Sequence, residues 1–143
     1  MSFQRRKEPV IYVVEPFGGS VRRHMPNLPL VYWDDAAVTR GDGIFESLLV
    51  RNGKAANLER HAERFAQSAR ALDLPEPPLH KWREATELAI ADFFAGSEAD
   101  ADAQAEAKCT WTYTRGRAAT GVPTAWVAVQ EIPADVVAQR KSG

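Results

Sequence analysis

The residue types that most often carry metal or nucleophile chemistry are sparse in this sequence. It contains three histidines, His24, His61 and His80, and one cysteine, Cys109. Metal sites and catalytic triads need such residues at fixed spacings, and the sequence has no Cys-x-x-Cys pair, no His-Glu-x-x-His helix, no Gly-x-Ser-x-Gly elbow and no Walker loop. We therefore predict no metal site, and we interpret each histidine as a surface or packing residue.

Two short motifs and one helical arginine remain as candidates for ligand binding. Gly41-Asp42-Gly43 is too short to be a Gly-rich phosphate loop, and by itself it is typical of a turn between extended segments. Arg64 flanks Phe65 at the edge of an apolar stripe, where an arginine commonly lies over the helix with its charge in solvent. Arg115-Gly116-Arg117 is compatible with an exposed basic loop tip. Taken one at a time, none of these features predicts a site.

The elements before and between these motifs begin with extended segments. Val10–Val14 is β-branched and aromatic, which predicts a strand, whereas the basic stretch 22–29 contains two prolines and predicts an irregular connection. Residues 44–50 form a second apolar run that leads into Asn52-Gly53. Asn-Gly is a strong hairpin signal because both residues tolerate the positive φ of a tight turn. The Gly41-Asp42-Gly43 motif therefore precedes a predicted hairpin strand.

Two helices with apolar stripes are predicted after the hairpin. Asn57 is a suitable N-cap for the first helix, which carries Arg64 and ends before the prolines at 75, 77 and 78. Its apolar stripe recurs at spacings of four and three residues and comprises Leu58, Ala62, Phe65, Ala69 and Leu72. The second helix extends from about Leu79 to Ala95 and ends on Gly96.

The rest of the chain predicts two further strands. Residues 97–107 mix alanine with acidic residues and predict a loop or a frayed helix. Residues 108–114 then alternate, with Cys109, Trp111 and Tyr113 on one face, and residues 124–132 are rich in valine. The order of the elements predicts an α+β fold in which an antiparallel sheet has two helices packed on one side.

Composition limits the classes of partner. The chain has 143 residues, enough for one ordinary domain, and 18 basic against 19 acidic residues give a net charge of -1. That balance argues against nucleic acid and membrane surfaces as partners and favours a small molecule or another protein. No apolar run approaches the roughly 20 residues of a membrane-spanning helix. The single cysteine favours a reducing compartment, so we expect a cytoplasmic location.

The joint arrangement of the motifs carries more information than any one of them. Gly41-Asp42-Gly43-Ile44-Phe45-Glu46, the Asn-Gly hairpin, the segment 58–65 with its Arg64, and Thr114-Arg115-Gly116 at a strand end occur in this order. Together they resemble the class IV, pyridoxal-phosphate-dependent aminotransferases, a family that includes branched-chain aminotransferases, D-amino acid aminotransferases and aminodeoxychorismate lyases. The resemblance extends from about residue 32 to residue 132. It implies pyridoxal 5'-phosphate as the cofactor, a small-molecule substrate and a homodimer.

The resemblance also assigns roles to individual residues. Arg64 matches the helix arginine that binds the cofactor's phosphate in the family, a role that suits a permanently charged, planar fork. Phe45 matches an aromatic position that walls the substrate pocket. Arg40 lies where many relatives have an aromatic ring, and it could instead pair with a substrate carboxylate. Arg115 and Arg117 lie in a loop from which some relatives send carboxylate-binding residues into the neighbouring subunit, although the Arg-x-His pattern of the D-amino acid enzymes is absent here.

Family members are about twice as long as this chain, and their cofactor-binding lysine lies in the second half. Lys141 stands in a polar tail without the family's lysine context, so we assign no catalytic residue in this chain. The resemblance predicts residues 1–31 as a first strand with its connection, 32–133 as a small α+β domain, and 134–143 as the start of a linker to a second domain that is absent.

The lyase branch of the family fits best. The Gly-Asp-Gly turn and the Thr-Arg-Gly strand end suit that branch, whose members release pyruvate from 4-amino-4-deoxychorismate to give 4-aminobenzoate for folate synthesis. Arg40 and Arg117 also offer positive charge for a substrate with two carboxylates. A D-amino acid or branched-chain aminotransferase is the alternative among enzymes. A non-catalytic module, which dimerises or is completed by a second polypeptide, is the alternative from another class.

Overall fold

The computed structural model describes residues 8–17, 19–95 and 106–132. The elements in chain order are β1 (Val10–Val14), β2 (Val21–His24), α1 (Ala36–Thr39), β3 (Gly43–Arg51), β4 (Lys54–Ala55), α2 (Leu58–Ala71), α3 (Leu79–Phe94), β5 (Glu106–Thr114) and β6 (Thr124–Glu131). The sequence-based predictions for residues 97–105 and 134–143, with Lys141, lie outside the described residues.

Six strands form one antiparallel sheet in the order β2-β1-β6-β5-β3-β4. The two long helices lie on the same side of it, with α2 against β3 and α3 against β1 and β6. The predicted α+β fold, an antiparallel sheet with two helices packed on one side, is confirmed. Strand β1 is an interior strand, since it pairs with both β2 and β6.

The core lies between the sheet and the two helices. Alternation along β5 buries Cys109, Trp111 and Tyr113, as the sequence predicts. Trp111 and Tyr113 pack against Phe65 of α2 and Trp82 of α3, with 4.6 Å between the ring centroids of Phe65 and Trp82 and 5.3 Å between those of Phe65 and Trp111. Such edge-to-face pairs stabilise a core beyond the apolar area they bury.

The polar tips of these buried rings are hydrogen-bonded. Trp111 Nε1 donates to Thr86 Oγ1 at 2.9 Å, and the Tyr113 hydroxyl donates to the Pro75 carbonyl at 2.8 Å. Unpaired tips would be costly in an apolar interior. Cys109 lies in the same layer as a free, fully buried thiol, and burial raises its pKa to about 12.

Three local predictions need correction. Residues 106 and 107, predicted as the end of a loop or frayed helix, are the first residues of strand β5. Residues 21–24 form strand β2 and not part of an irregular connection, because an edge strand held by β1 needs no apolar alternation of its own. Asn57 does precede α2, but its φ of 55° is left-handed and its side chain makes no capping hydrogen bond. The Asn-Gly hairpin is confirmed, with φ of 55° at Asn52 and 74° at Gly53 between the paired residues Arg51 and Lys54.

Two negative findings apply to the described residues. Their helices include none with the length and apolar character needed to cross a membrane. Their histidine, cysteine, aspartate and glutamate side chains include no group of three or more placed to hold a metal ion.

Candidate functional site

The centre of the candidate site is a carboxylate on β3. Strand alternation places Glu46 on the same face as the core residues Leu48 and Val50, so only 7% of its side chain is exposed. A buried carboxylate is costly unless it is paired and hydrogen-bonded. Helix α2 supplies the partners, because His61 and Arg64 are three residues apart and therefore share a helix face.

The three side chains form a tight cluster. Arg64 donates from Nε to Glu46 Oε1 at 2.7 Å and from Nη2 to Oε2 at 2.8 Å, a two-point contact along one edge of the guanidinium. His61 Nδ1 lies 2.9 Å from Glu46 Oε2. The hydrogen bond from Arg64 is the largest influence on the pKa of Glu46, which it lowers despite the opposing effect of burial, and Glu46 in turn raises the pKa of Arg64. The carboxylate is therefore held ionised.

A second edge of the Arg64 guanidinium remains available. Nη1 makes no hydrogen bond within the described part of the chain, and 62% of the Arg64 side chain is exposed. A guanidinium has five N–H donors in a fixed plane, so the edge between Nη1 and Nη2 can still bind two oxygens of one anion. This free edge is compatible with the phosphate-binding role predicted for Arg64, which stays a prediction.

Phe45 is adjacent to Glu46 in β3 and therefore projects from the opposite face of the sheet, where it is 73% exposed. Strand β4 pairs only with Val50 and Arg51, and among the described residues no strand covers the earlier part of this edge. A ligand lying along the open edge of β3 could thus contact Arg64 on one side and Phe45 on the other.

Arg40 and Arg115 meet at a shared carboxylate just before β3. Asp42 Oδ2 lies 2.9 Å from Arg115 Nε and 3.6 Å from Arg40 Nη2. Arg115 Nη2 also donates to the Leu72 carbonyl at 2.6 Å, at the end of α2. Arg40 is 64% exposed at the end of α1. Arg115 thus links three parts of the fold, whereas Arg40 has a guanidinium open to a ligand.

Arg117 lies apart from that cluster. Its Nε donates to Asp34 Oδ1 at 2.8 Å, and its guanidinium carbon lies 4.0 Å from the centroid of the Tyr32 ring. The hydrogen bond from Arg117 lowers the pKa of Asp34. Arg117 and Tyr32 line an open groove of about 670 Å³, together with Arg22 and His24. This stacked, ion-paired arginine is held in one place at the rim of a cavity.

A short helix fixes the loop that carries Arg115 and Arg117. Asp35 is fully buried and caps α1 by accepting from Ala37 N at 3.0 Å. Its carboxylate also accepts from Thr114 Oγ1 and Thr124 Oγ1, each at 2.7 Å, at the facing ends of β5 and β6. Ala36 N donates to the Gly116 carbonyl at 2.8 Å. Asp35 therefore ties α1 to both ends of the loop.

The carboxylate partners of the arginines were not predicted from the sequence. His61 was interpreted as a packing residue, and it does bond a neighbour, but that neighbour is the Glu46 carboxylate at the site. Glu46 itself carried a signal: it shares the core-facing parity of Leu48 and Val50, so a charge there requires a cationic partner. Asp34, Asp35 and Asp42 had no comparable signal, because their partners are far away in sequence.

Comparison with known proteins places this chain in a family. Residues 43–142 match amino-transferase class IV. The chain is 47% identical over 118 residues to the bifunctional aminodeoxychorismate lyase / D-amino acid transaminase of Mycobacterium tuberculosis (strain ATCC 25618 / H37Rv), a match covering 82% of this chain and 39% of that protein.

Solved structures of similar proteins also point to the aminotransferases. A provisionally assigned aminotransferase of Corynebacterium glutamicum ATCC 13032 superposes with a TM-score of 0.86 at 50% identity, over 94% of this chain and 53% of that one. A hypothetical aminotransferase from Mycobacterium tuberculosis, in its PLP-bound form, gives a TM-score of 0.78 at 42% identity, over 93% of this chain and 44% of that one. The fold is that of the amino-terminal domain of the fold IV transaminases. The chain belongs to the class IV aminotransferase family.

The chain spans about half the length of the relatives that it matches, or less. Pyridoxal phosphate is the cofactor of the full-length family, as the PLP-bound relative illustrates. The residues present here fit the phosphate end of that cofactor, since Arg64 offers a free guanidinium edge beside an open strand.

Proposed function

We propose that this chain is the phosphate-binding half of a pyridoxal-phosphate-dependent 4-amino-4-deoxychorismate lyase, which releases pyruvate and gives 4-aminobenzoate for folate synthesis. The observation that carries the proposal is the two-point contact between Glu46 and Arg64, because it leaves one edge of an exposed guanidinium free for phosphate. The 47% identity to a protein named for both lyase and D-amino acid transaminase activity supports the choice of reaction class.

Arg64 would hold the phosphate and so fix the position of the cofactor ring. When bound, pyridoxal phosphate supplies an electron sink for the negative charge that develops on the substrate carbon. The protein's task is to bind and orient the cofactor and the substrate, and orientation of this kind lowers the barrier by removing motional freedom beforehand. Arg64 suits the task because its position is already fixed by Glu46.

Phe45 and two arginines would contact the substrate. Phe45 exposes most of its ring beside the open edge of β3, where it would wall the pocket. Arg40 is the most exposed of the arginines around Asp42 and would pair with one substrate carboxylate. Arg117 would meet the second carboxylate from the groove that it lines, in this subunit or in the partner of a homodimer. Arg115 would act indirectly, because its guanidinium is bound to Asp42 and to the end of α2.

A D-amino acid transaminase is the second candidate, and the name of the 47% identical relative supports it as well, because that name gives both activities. Branched-chain transamination is a further alternative within the family. The lyase and D-amino acid transaminase reactions place different demands on the substrate pocket, because the lyase substrate has one carboxylate on its ring and a second on its enolpyruvyl side chain, whereas the carboxylate common to all D-amino acids lies on the α-carbon. Because Arg40 is exposed, it could pair with one of the two carboxylates of the lyase substrate, and this favours the lyase.

The test is to incubate the complete protein that contains this chain with 4-amino-4-deoxychorismate, and separately with D- or branched-chain L-amino acids plus 2-oxoglutarate. We expect 4-aminobenzoate and pyruvate in equal amounts from the first mixture. Absence of 4-aminobenzoate together with glutamate formation in the second would replace the lyase by a transaminase. The 143-residue chain alone serves as the control, and we expect neither product from it and no borohydride-trapped pyridoxal phosphate on Lys141.

A non-catalytic dimerisation module is the alternative outside enzymes. If the complete protein binds pyridoxal phosphate yet turns over neither class of substrate, that alternative gains support. Light scattering of the complete protein tests the homodimer itself, for which we expect twice the monomer mass.

A further inference from the structure

Glu46 presents an apparent conflict, because a buried negative charge lies beside the proposed phosphate site. Its carboxylate neutralises Arg64, so the pair has no net charge to attract an anion. On electrostatic grounds alone, Glu46 should weaken phosphate binding. The geometry of the Glu46–Arg64 contact indicates that Glu46 favours phosphate binding in another way. It holds the Nε–Nη2 edge of Arg64 by two short hydrogen bonds, and the remaining Nη1–Nη2 edge then has a defined direction.

The position of the carboxylate is itself fixed. The backbone of Glu46 lies in the middle of β3, which pairs with β5 along its whole length, and its side chain is almost fully buried. His61 provides a second anchor from α2, with Nδ1 at 2.9 Å from Oε2. A carboxylate only accepts hydrogen bonds, so His61 donates its Nδ1 proton here. The strand thus fixes the carboxylate through its backbone, and the helix fixes Oε2 through His61.

The alternative for Arg64 is a mobile side chain. Arginine has several rotatable bonds, and 62% of this side chain is exposed, so without Glu46 it would sample many rotamers. An anion would then have to order the side chain as it binds, which weakens affinity. A fixed guanidinium edge can form two oriented, charge-assisted hydrogen bonds with phosphate, whereas a mobile arginine offers mainly its charge. The affinity gained from the fixed edge should therefore exceed the affinity lost through neutralisation by Glu46.

We propose that Glu46 is a positioning residue for the phosphate site: it clamps one edge of Arg64 so that the other edge faces the cofactor's phosphate, and His61 steadies the clamp. This inference rests on the proposed role of Arg64 as the phosphate-binding residue. It requires the Glu46–Arg64 contact to persist when phosphate binds. It also gives opposite predictions from a purely electrostatic role, in which removal of the Glu46 charge would tighten phosphate binding.

The test compares dissociation constants of the complete protein for pyridoxal phosphate and for pyridoxal, which lacks the phosphate. We expect Glu46→Gln to weaken pyridoxal phosphate binding about tenfold or more while pyridoxal binding stays unchanged. Glu63→Gln is the matched control, because it removes an equal charge from an exposed position on α2 next to Arg64 in sequence. We expect no comparable loss of affinity from it. Unchanged or tighter pyridoxal phosphate binding in Glu46→Gln overturns the proposal.

The variant Arg64→Leu distinguishes the phosphate-binding role of Arg64 from the positioning role of Glu46. If Arg64→Leu weakens pyridoxal phosphate binding and Glu46→Gln does not, only the positioning role fails. If Arg64→Leu also leaves the affinity unchanged, Arg64 is not the phosphate residue, and both proposals fail. In the double variant, Glu46→Gln should have no further effect, because the side chain that it positions is gone.

A measurement on the unaltered protein covers the case in which Glu46→Gln does not fold. Arginine side chains carry an Nε–H signal that nitrogen-resolved NMR detects, and a hydrogen bond to a carboxylate protects that proton from exchange. We expect the Arg64 signal to stay protected when inorganic phosphate or pyridoxal phosphate is added. Loss of protection on binding would mean that the anion displaces Glu46, which contradicts a clamp.

Discussion

The four arginines of the candidate site share one chemical property: each lies within 4 Å of a carboxylate. Arg64 pairs with Glu46, Arg117 with Asp34, and Arg40 and Arg115 with Asp42. Their positive charge is therefore compensated locally, in keeping with a net charge of -1 for the chain. Selectivity for anionic ligands must then come from oriented N–H groups and not from a broad attractive field.

The resemblance to the family proposed these arginines as site residues, but it did not predict what holds them. Arg64 could be proposed because the motifs around it occur in a fixed order, whereas the apolar stripe alone predicts a solvent-exposed arginine. The role of Arg115 was less accessible, since its contacts with Asp42 and Leu72 join residues 73 and 43 positions apart. Such contacts depend on how the sheet closes, and no local periodicity encodes them.

Gly116 is a residue at which backbone geometry dictates the amino acid. Its φ is +86°, and a Cβ would lie 1.7 Å from the Val122 carbonyl oxygen. We expect Gly116→Ala to destabilise the chain by about 2–4 kcal/mol, because neither backbone segment can move away cheaply. Gly121→Ala is the control: its φ is +68°, but nothing lies within 4 Å, so only the left-handed strain of about 1–2 kcal/mol applies. Denaturant titration measures both, and equal losses would contradict the crowding argument.

Glu46 should make stability depend on acid pH. Arg64 lowers its pKa in the folded chain, so between the folded and unfolded values the unfolded chain binds more protons and stability rises with pH. The stabilisation that ionised Glu46 contributes is fully present above the ordinary glutamate pKa of about 4.3. It is lost as the pH falls through the lower pKa that Glu46 has in the folded chain. We expect Glu46→Gln to flatten the pH dependence of the unfolding free energy in that range. Glu63→Gln should retain the slope, and a retained slope in Glu46→Gln would contradict the assignment.

At the scale of elements, the sequence predicted what hydrophobic periodicity controls. Helices α2 and α3 and strands β1, β3, β5 and β6 were recognised because each buries one face on the common core. Strand β2 was not, since it is an edge strand with two exposed arginines and is held by the backbone of β1. Helix α1 has four residues and one buried side chain, too few for a periodic signal.

The short helix α1 depends on one carboxylate. Asp35 caps it and accepts from the hydroxyls of Thr114 and Thr124. We expect Asp35→Ala to cost about 2–4 kcal/mol, because it removes a cap and leaves two hydroxyls without their acceptor. Thermal and denaturant unfolding measure the loss. Asp73→Asn is a suitable control, since Asp73 is exposed with a φ of 55° that asparagine also tolerates, and it should be close to neutral. A neutral Asp35→Ala would show that α1 is held in another way.

At the scale of the molecule, the candidate site is assembled from distant parts of the chain. Glu46 and Arg64 are 18 residues apart, Arg117 and Asp34 are 83 apart, and Asp35 and Thr124 are 89 apart. These contacts exist only when α2, β3, β5 and β6 are all in place. The Arg64 edge proposed to bind phosphate therefore depends on the packing of α2 on β3, and local opening of the sheet at β3 and β5 should abolish it.

The buried thiol of Cys109 turns this dependence into a measurement. Only the thiolate reacts with alkylating reagents, and a pKa of about 12 together with full burial leaves Cys109 inert while the sheet is closed. We expect labelling at neutral pH to be slower than in denaturant by the equilibrium constant for opening. Labelling of the native chain at the denaturant rate would contradict this.

Since the sequence has no second cysteine, every alkylation event reports Cys109 in the open form. A ligand that binds only the closed form lowers the alkylation rate. The factor is 1 + [L]/Kd, where [L] is the free ligand concentration and Kd its dissociation constant. The alkylation rate of Cys109 can thus report occupancy at Arg64, although Cys109 itself is fully buried in the core.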